Sequence, residues 1–211
     1  YGFNNPDNEW DKKSIDYLVI GDSFAQGWCV NREDSIAGHL RSKYNNKNVI
    51  TLGQIGNGPL INYAALKEYI HLVKPSKVLW MHFEADDLSG NYFQGLKQEL
   101  KNEILNKYLI NIKFSQNLYL KQQQIDKIVK KELNRQEKKY ELSGKNYRDF
   151  RYSFLKFLKL FKLRTFLQVK INQIKNKNLT DIQKINPEFR LILKLANKIV
   201  KDNNAELYFV F

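Results

Sequence analysis

Three short apolar runs, each ending in a polar loop, constrain the fold of this chain more than any other feature. The first, Tyr17–Ile20, is β-branched and nearly all apolar, which predicts a strand buried on both faces of a parallel sheet. The second begins at Val49 and the third at Lys77. Helical patterns alternate with these runs, so we expect a right-handed α/β fold. The polar loops would then gather at the carboxyl ends of the strands, where such sheets bind ligands.

The loop after the first run, Gly21-Asp22-Ser23, carries our candidate nucleophile, Ser23. A tight turn exposes its hydroxyl, and the N-terminus of the next helix points backbone N–H groups toward a developing negative charge. Serine also caps helices, so this stretch alone leaves catalysis and capping open for Ser23.

The loops after the other two strands supply two further motifs. Leu52–Gly56 (LGQIG) is rich in glycine, and Glu84–Leu88 (EADDL) is acidic. With Gly21-Asp22-Ser23 in front, their order and spacing resemble the SGNH/GDSL hydrolase superfamily, whose members are mostly esterases, lipases and carbohydrate acyl-ester hydrolases. The resemblance covers about the first ninety residues and rests on these three ordered motifs.

This resemblance implies a three-layer α/β fold with a flavodoxin-like parallel sheet of the SGNH-hydrolase type and a helical insertion after the third strand. It implies that Ser23 is the nucleophile and that Gly56 gives its backbone N–H to the oxyanion hole, with Gly53 as the alternative position. Asp22 and Asp87 are then expected to hold their loops through hydrogen bonds.

Asp86 stands where the family has an oxyanion-hole asparagine. An ionised carboxylate only accepts hydrogen bonds and repels an oxyanion, whereas an amide donates to it. Either Asp86 is protonated beside Glu84 and Asp87, or activity is weak, or another group fills the hole. The same three carboxylates lack further oxygen ligands in view, so we expect no metal and no organic cofactor.

The family's general-base histidine has no counterpart in this sequence. His39 and His71 lie in helical patterns that favour surface or core roles, and His82 ends the third strand, where we expect packing or a supporting role. The chain starts at Tyr1 without methionine and stops at Phe211 inside a predicted buried strand. We therefore expect the histidine and its orienting carboxylate to follow Phe211, and these 211 residues not to cleave esters by themselves.

The positive charge of the chain is concentrated after the third strand. Residues 97–177 hold 21 of the 35 basic and 7 of the 22 acidic residues, a net charge of +14 against −1 for the rest. We interpret residues 93–180 as a basic helical insertion, residues 1–92 as the N-terminal part of the α/β domain, and residues 181–211 as its return helix and fourth strand.

The second half of the insertion has a basic side and an aromatic side at helical spacing. The basic side holds Arg151, Lys156, Lys159, Lys162 and Lys170. This pattern fits either an ordinary helical cap with solvated lysines or a surface that holds an anionic glycan or a membrane. Nucleic acid is disfavoured as a partner because the sequence has neither zinc-ligand spacing nor an RNA-binding sheet motif.

Two functions remain after these observations. The first is an SGNH-like serine ester hydrolase or acyl transferase, for which the resemblance implies O-acylated carbohydrate as substrate. The rival is a non-catalytic α/β binding module that uses its basic cap to hold an anionic glycan or a membrane surface. Asp86 and the missing histidine favour this second function. Because Cys29 is the single cysteine, an intrachain disulfide is excluded, and we expect Cys29 to pack. The cellular compartment stays open, and extracytoplasmic and membrane-associated locations are both included.

Overall fold

The chain divides into two compact units. The computed structural model describes residues 2–43, 47–83, 95–142 and 186–211, with the backbone alone for 138–142. The first unit comprises residues 1–120 and 185–211, and the second comprises residues 121–184.

The first unit is built on a parallel sheet of four strands in the order β2–β1–β3–β4. Its strands are Ile15–Ile20 (β1), Val49–Thr51 (β2), Pro75–Met81 (β3) and Glu206–Val210 (β4). In the register of the sheet, Leu18 lies opposite Ile50 on one side and Val78 on the other. The prediction of an α/β fold with a parallel sheet is therefore confirmed. The strand order changes direction between β1 and β3, the position at which open α/β sheets bind ligands.

Helices follow the strands where local signals predict them. The α-helices of the described residues are Ser23–Gln26 (α1), Ile36–Lys43 (α2), Pro59–Val73 (α3), Leu96–Glu99 (α4), Glu103–Ile110 (α5), Gln122–Leu142 (α6) and Pro187–Asp202 (α7). Pro59 and Pro187 begin their helices because a proline at the first helical position needs no N–H partner. The side chain of Asn186 accepts from the N–H groups of Glu188 and Phe189 and so caps α7.

The core lies on both faces of the sheet because successive side chains of a strand point to opposite faces. Leu18 and Ile20 belong to a large cluster with residues of α3 and α7. Val19 belongs to a smaller cluster with Ala25 of α1 and Ala37 of α2. This alternation explains why β1 reads as a continuous apolar run.

The last strand departs from its prediction. We expected a buried strand, but Tyr208 and Val210 are exposed while Leu207 and Phe209 are half-buried. Within the described residues, β4 pairs with β3 alone, so it forms an edge of the sheet. One face of the strand packs toward α7, and the apolar residues of the other face stay in contact with solvent.

Residues 96–120 lie within the interval that the charge pattern assigns to the insertion, and they pack in the first unit. Leu96 of α4 and Tyr108 of α5 are fully buried in the large cluster. The second unit is described from its start through α6, whose side chains up to residue 137 are mostly exposed and carry charges of both signs, as in the pair Arg135–Glu132.

Candidate functional site

Ser23 lies at the point where β1 ends and α1 begins, at the carboxyl edge of the sheet. The residue is partly exposed and occupies the first helical position. The N-cap is Asp22, whose Oδ1 accepts from the Phe24 N–H at 2.9 Å. The interpretation of Ser23 as a mere cap is therefore wrong, and Asp22 holds its loop through a hydrogen bond. At Gly21, with φ of 152°, an added Cβ would lie 2.9 Å from the Met81 carbonyl oxygen, so glycine lets β1 and β3 approach here.

The second loop, residues 52–58, is bonded directly to the first. The Gln54 N–H donates to the Gly21 carbonyl oxygen at 3.3 Å. The Ile55 N–H donates to the side-chain oxygen of Gln26 in α1 at 2.7 Å. Two of the three motif-bearing loops therefore form one hydrogen-bonded assembly beside Ser23.

A buried hydroxyl strengthens this junction. Thr51 donates from Oγ1 to the Ala25 carbonyl oxygen at 2.9 Å and accepts from the Gly53 N–H at 3.0 Å. A Cβ added to Gly53 would lie 2.4 Å from the backbone nitrogen of Gln26. Glycine is therefore required at position 53 because the two loops pass too closely for a side chain.

Gly56 differs from Gly53 in conformation and in hydrogen bonding. Its φ of 83° lies in the left-handed region, which glycine adopts without a steric penalty. In the parts of the chain that the structure describes, the Gly56 N–H makes no hydrogen bond, whereas the Gly53 N–H is bonded to Thr51. Of the two glycines expected at the oxyanion hole, Gly53 has its N–H bonded to a protein acceptor, whereas the N–H of Gly56 has no such bond within the described residues.

The acidic third loop, with Glu84, Asp86 and Asp87, lies outside the described residues. Its two flanks are both attached to the site. On one side, the Phe83 ring packs 5.4 Å from the ring of Phe24, the neighbour of Ser23. On the other side, Glu99 at the end of α4 accepts hydrogen bonds from the first N–H groups of α3.

The histidines have packing or surface roles. His82 stacks on the Phe189 ring at 5.2 Å and lies 5.0 Å from the Phe209 ring, which confirms its packing role. His39 and His71 are exposed, and His71 contacts the edge of the Tyr119 ring at 5.0 Å.

The expectation that Cys29 packs is wrong, because the thiol is exposed. Gly27 ends α1 with a left-handed turn, and the chain then runs over the surface. Trp28 and Val30, on either side of Cys29, are exposed as well. The helix is too short to carry Cys29 back toward the sheet.

The predicted glycan or membrane surface of Arg151, Lys156, Lys159 and Lys162 lies outside the described residues. Within 2–43, 47–83, 95–142 and 186–211, no three His, Cys, Asp or Glu side chains form a group that could hold a metal ion. No helix in these ranges has the length and apolar character needed to cross a bilayer.

Sequence reasoning missed the side chains that hold the loops together, namely Gln26, Thr51 and Glu99. Glu99 and Gly58 are separated by 41 positions, so no local pattern connects them. Thr51 carried a weak signal, since a hydroxyl at the end of a buried strand needs a partner.

No protein-family model matches this chain, and no curated protein and no solved structure matches it either. The likeness to the SGNH/GDSL hydrolase superfamily therefore stays a resemblance carried by the motifs of the three loops.

Proposed function

We propose that this chain carries the nucleophile of an SGNH-like serine ester hydrolase or acyl transferase, built on a flavodoxin-like sheet. The observation that carries the proposal is the hydrogen-bonded assembly of the first two loops at the carboxyl ends of β1 and β2, next to the point where the strand order changes direction. There the partly exposed Ser23 begins a helix that is bonded to the loop of Gly56. The resemblance makes an acyl ester, such as an O-acylated carbohydrate, the proposed substrate.

In the proposed reaction, the Ser23 oxygen attacks the acyl carbonyl carbon and the carbonyl electron pair moves to its oxygen. The N–H groups of Ser23 and Gly56 donate to the oxyanion that forms. Collapse of this intermediate expels the alcohol and leaves an acyl-serine, which water or an acceptor hydroxyl then releases. The hydroxyl proton passes to a general base and from there to the departing alcohol.

The proposal is tested with the complete gene product and p-nitrophenyl acetate. Ser23→Ala should reduce hydrolysis by about a thousandfold or more, because the nucleophile is lost. Cys29→Ser is the matched control, since it removes the other nearby nucleophile, and should leave the rate unchanged. Turnover that survives Ser23→Ala, or a complete protein without turnover, would contradict the proposal.

Asp86→Asn tests the third position of the proposed oxyanion hole. An amide donates where a carboxylate repels, so we expect kcat to rise, by up to about a hundredfold if a full donor is restored. A lower kcat in Asp86→Asn would mean that the carboxylate itself takes part in the reaction.

A second candidate function is a binding module without catalysis. It is favoured by the packing of His82 between aromatic rings, since no histidine of the described residues then stands ready as a base beside Ser23. Binding of the chain to anionic phosphatidylglycerol vesicles or to heparin, weakened by Lys159→Glu and unaffected by Ser23→Ala, would support this function if esterase activity is absent.

A further inference from the structure

We propose that Glu99 is a positioning residue that fixes the loop carrying Gly56. This inference rests on the proposed function, in which the Gly56 N–H is a donor to the oxyanion. Glu99 is only 4% exposed and ends α4, in the stretch that follows the acidic third loop.

Both oxygens of the Glu99 carboxylate accept hydrogen bonds from the start of α3. Oε1 accepts from the N–H groups of Gly58 at 2.9 Å and Ile61 at 3.2 Å, and Oε2 accepts from the Leu60 N–H at 2.8 Å. The first N–H groups of a helix have no partner within the helix, and a negative charge there is favoured by the helix dipole.

The local sequence leaves this helix end without a cap of its own. Gly58 is the N-cap of α3 and has no side chain to accept a hydrogen bond, and Pro59 follows it. Glu99 therefore supplies from 41 positions away what Ser, Thr, Asp or Asn would ordinarily supply at the N-cap.

Gly56 is held between two anchors as a result. On its N-terminal side, Gln54 donates to Gly21 of the first loop and Ile55 donates to Gln26 of α1. On its C-terminal side, Gly58 donates to Glu99. A turn with a left-handed glycine at its centre has several accessible conformations, and fixing both of its ends selects one direction for the Gly56 N–H. Donors of an oxyanion hole are effective because they are fixed before the reaction.

The Glu99 carboxylate also determines where an anionic intermediate can be held. It already occupies the positive end of α3, so a second negative charge at Gly58 or Leu60 would be repelled. The N–H of Gly56, two residues earlier, stays available.

Glu68 provides a matched control on the same helix. Its carboxylate is 1% exposed and also accepts backbone N–H groups, from Gln116 and Leu118. It lies ten positions after Gly58, about 15 Å along the helix axis at 1.5 Å per residue. Loss of either carboxylate should lower stability, but only loss of Glu99 should disturb Gly56.

The experiment compares Glu99→Gln with Glu68→Gln in the complete gene product. Glutamine keeps one acceptor oxygen and has nearly the shape of glutamate, so both variants should fold. At a temperature at which circular dichroism shows both to be folded, kcat and KM are measured with p-nitrophenyl acetate. Amide hydrogen exchange of residues 54–61 is measured in the same samples.

We expect Glu99→Gln to lower kcat about tenfold with KM within about twofold of the wild type, and to speed exchange in residues 54–58. Glu68→Gln should lower Tm without either change. Equal kcat values in the two folded variants, or unchanged exchange in Glu99→Gln, would overturn the positioning role. A wild type without turnover overturns the proposed function and the catalytic part of this inference, while exchange still reports whether Glu99 fixes the loop.

Discussion

The two buried carboxylates that contact α3 use the same chemistry for different ends. Glu99 binds the first N–H groups of the helix, beside the loop of Gly56. Glu68, within the helix, accepts from the Tyr108 hydroxyl and from the backbone of residues 116 and 118, and so attaches the segment after α5. Each carboxylate accepts hydrogen bonds from several donors that water would otherwise satisfy. Because both carboxylates stabilise the fold, a loss of stability does not distinguish a residue of the site from a residue of the scaffold. The activity per folded molecule does distinguish them.

The largest effect on stability should come from Glu68→Ala. The change leaves the buried Tyr108 hydroxyl and the N–H groups of Gln116 and Leu118 without their acceptor. We expect the free energy of unfolding to fall by about 3 kcal/mol, measured by urea denaturation of the complete protein. Activity per folded molecule should stay at the wild-type level, and a fall in kcat would remove the contrast with Glu99.

Gly53→Ala should affect both properties, because it acts where the two loops meet. The new Cβ would lie 2.4 Å from the Gln26 nitrogen and 2.5 Å from the Ala25 carbonyl carbon, so the loops must separate. We expect a loss of about 1–3 kcal/mol in the free energy of unfolding. We also expect a lower kcat, since the loop of Gly56 shifts.

Ser76→Ala, at an exposed position near the start of β3, serves as the control for Gly53→Ala and should leave stability and kcat unchanged. A fully stable and active Gly53→Ala protein would show that the loops do not approach as closely as described.

Thr51→Val should produce a smaller change at the same junction. Valine has the shape of threonine but neither donates to the Ala25 carbonyl oxygen nor accepts from the Gly53 N–H. We expect a loss of about 1–2 kcal/mol in urea denaturation. No loss would mean that water satisfies the Ala25 carbonyl oxygen and the Gly53 N–H in place of the hydroxyl.

The smallest effect should be a pH dependence that belongs to Glu68. Burial alone would raise its pKa, but the hydrogen bonds from Tyr108, Gln116, Leu118 and Ser115 outweigh burial and hold the pKa below its usual value. The carboxylate therefore stabilises the fold fully above the ordinary glutamate pKa of about 4.3, and this stabilisation is lost as the pH falls through the lowered pKa.

Glu68→Gln removes that titration. The stability difference between wild type and Glu68→Gln should be larger at about pH 6 than at about pH 3, as measured by urea denaturation at both values. A difference that is the same at both values, or larger in acid, would contradict the ionised state of Glu68.

Local patterns were sufficient to predict most of the framework. The apolar run before Gly21 predicted β1, and the return helix expected in residues 181–211 is α7. The exposure of Tyr208 and Val210 in β4 was not predictable, because an apolar run does not reveal whether both faces of a strand are covered. Cys29 was misassigned for a similar reason, since the length of α1 is set by Gly27 and not by the apolar residues around it.

In the candidate site, too, some residues are predictable from local sequence and others are not. Ser23 and the two glycine positions follow from short motifs, whose geometry is local. The contacts of Gln26, Thr51 and Glu99 span from 26 to 41 positions in sequence, so they depend on how the sheet brings the loops together. These long-range contacts anchor the loop that carries Gly56, and only the folded chain contains them.

The central claim is that Ser23 is a nucleophile, and labelling with a serine-reactive fluorophosphonate tests it most directly. The complete gene product would be treated with the reagent, digested, and mapped by mass spectrometry. We predict one adduct, on the peptide containing Ser23, that is absent in Ser23→Ala and retained in Cys29→Ser. No adduct on the wild-type protein, or an adduct that persists in Ser23→Ala, would contradict the claim.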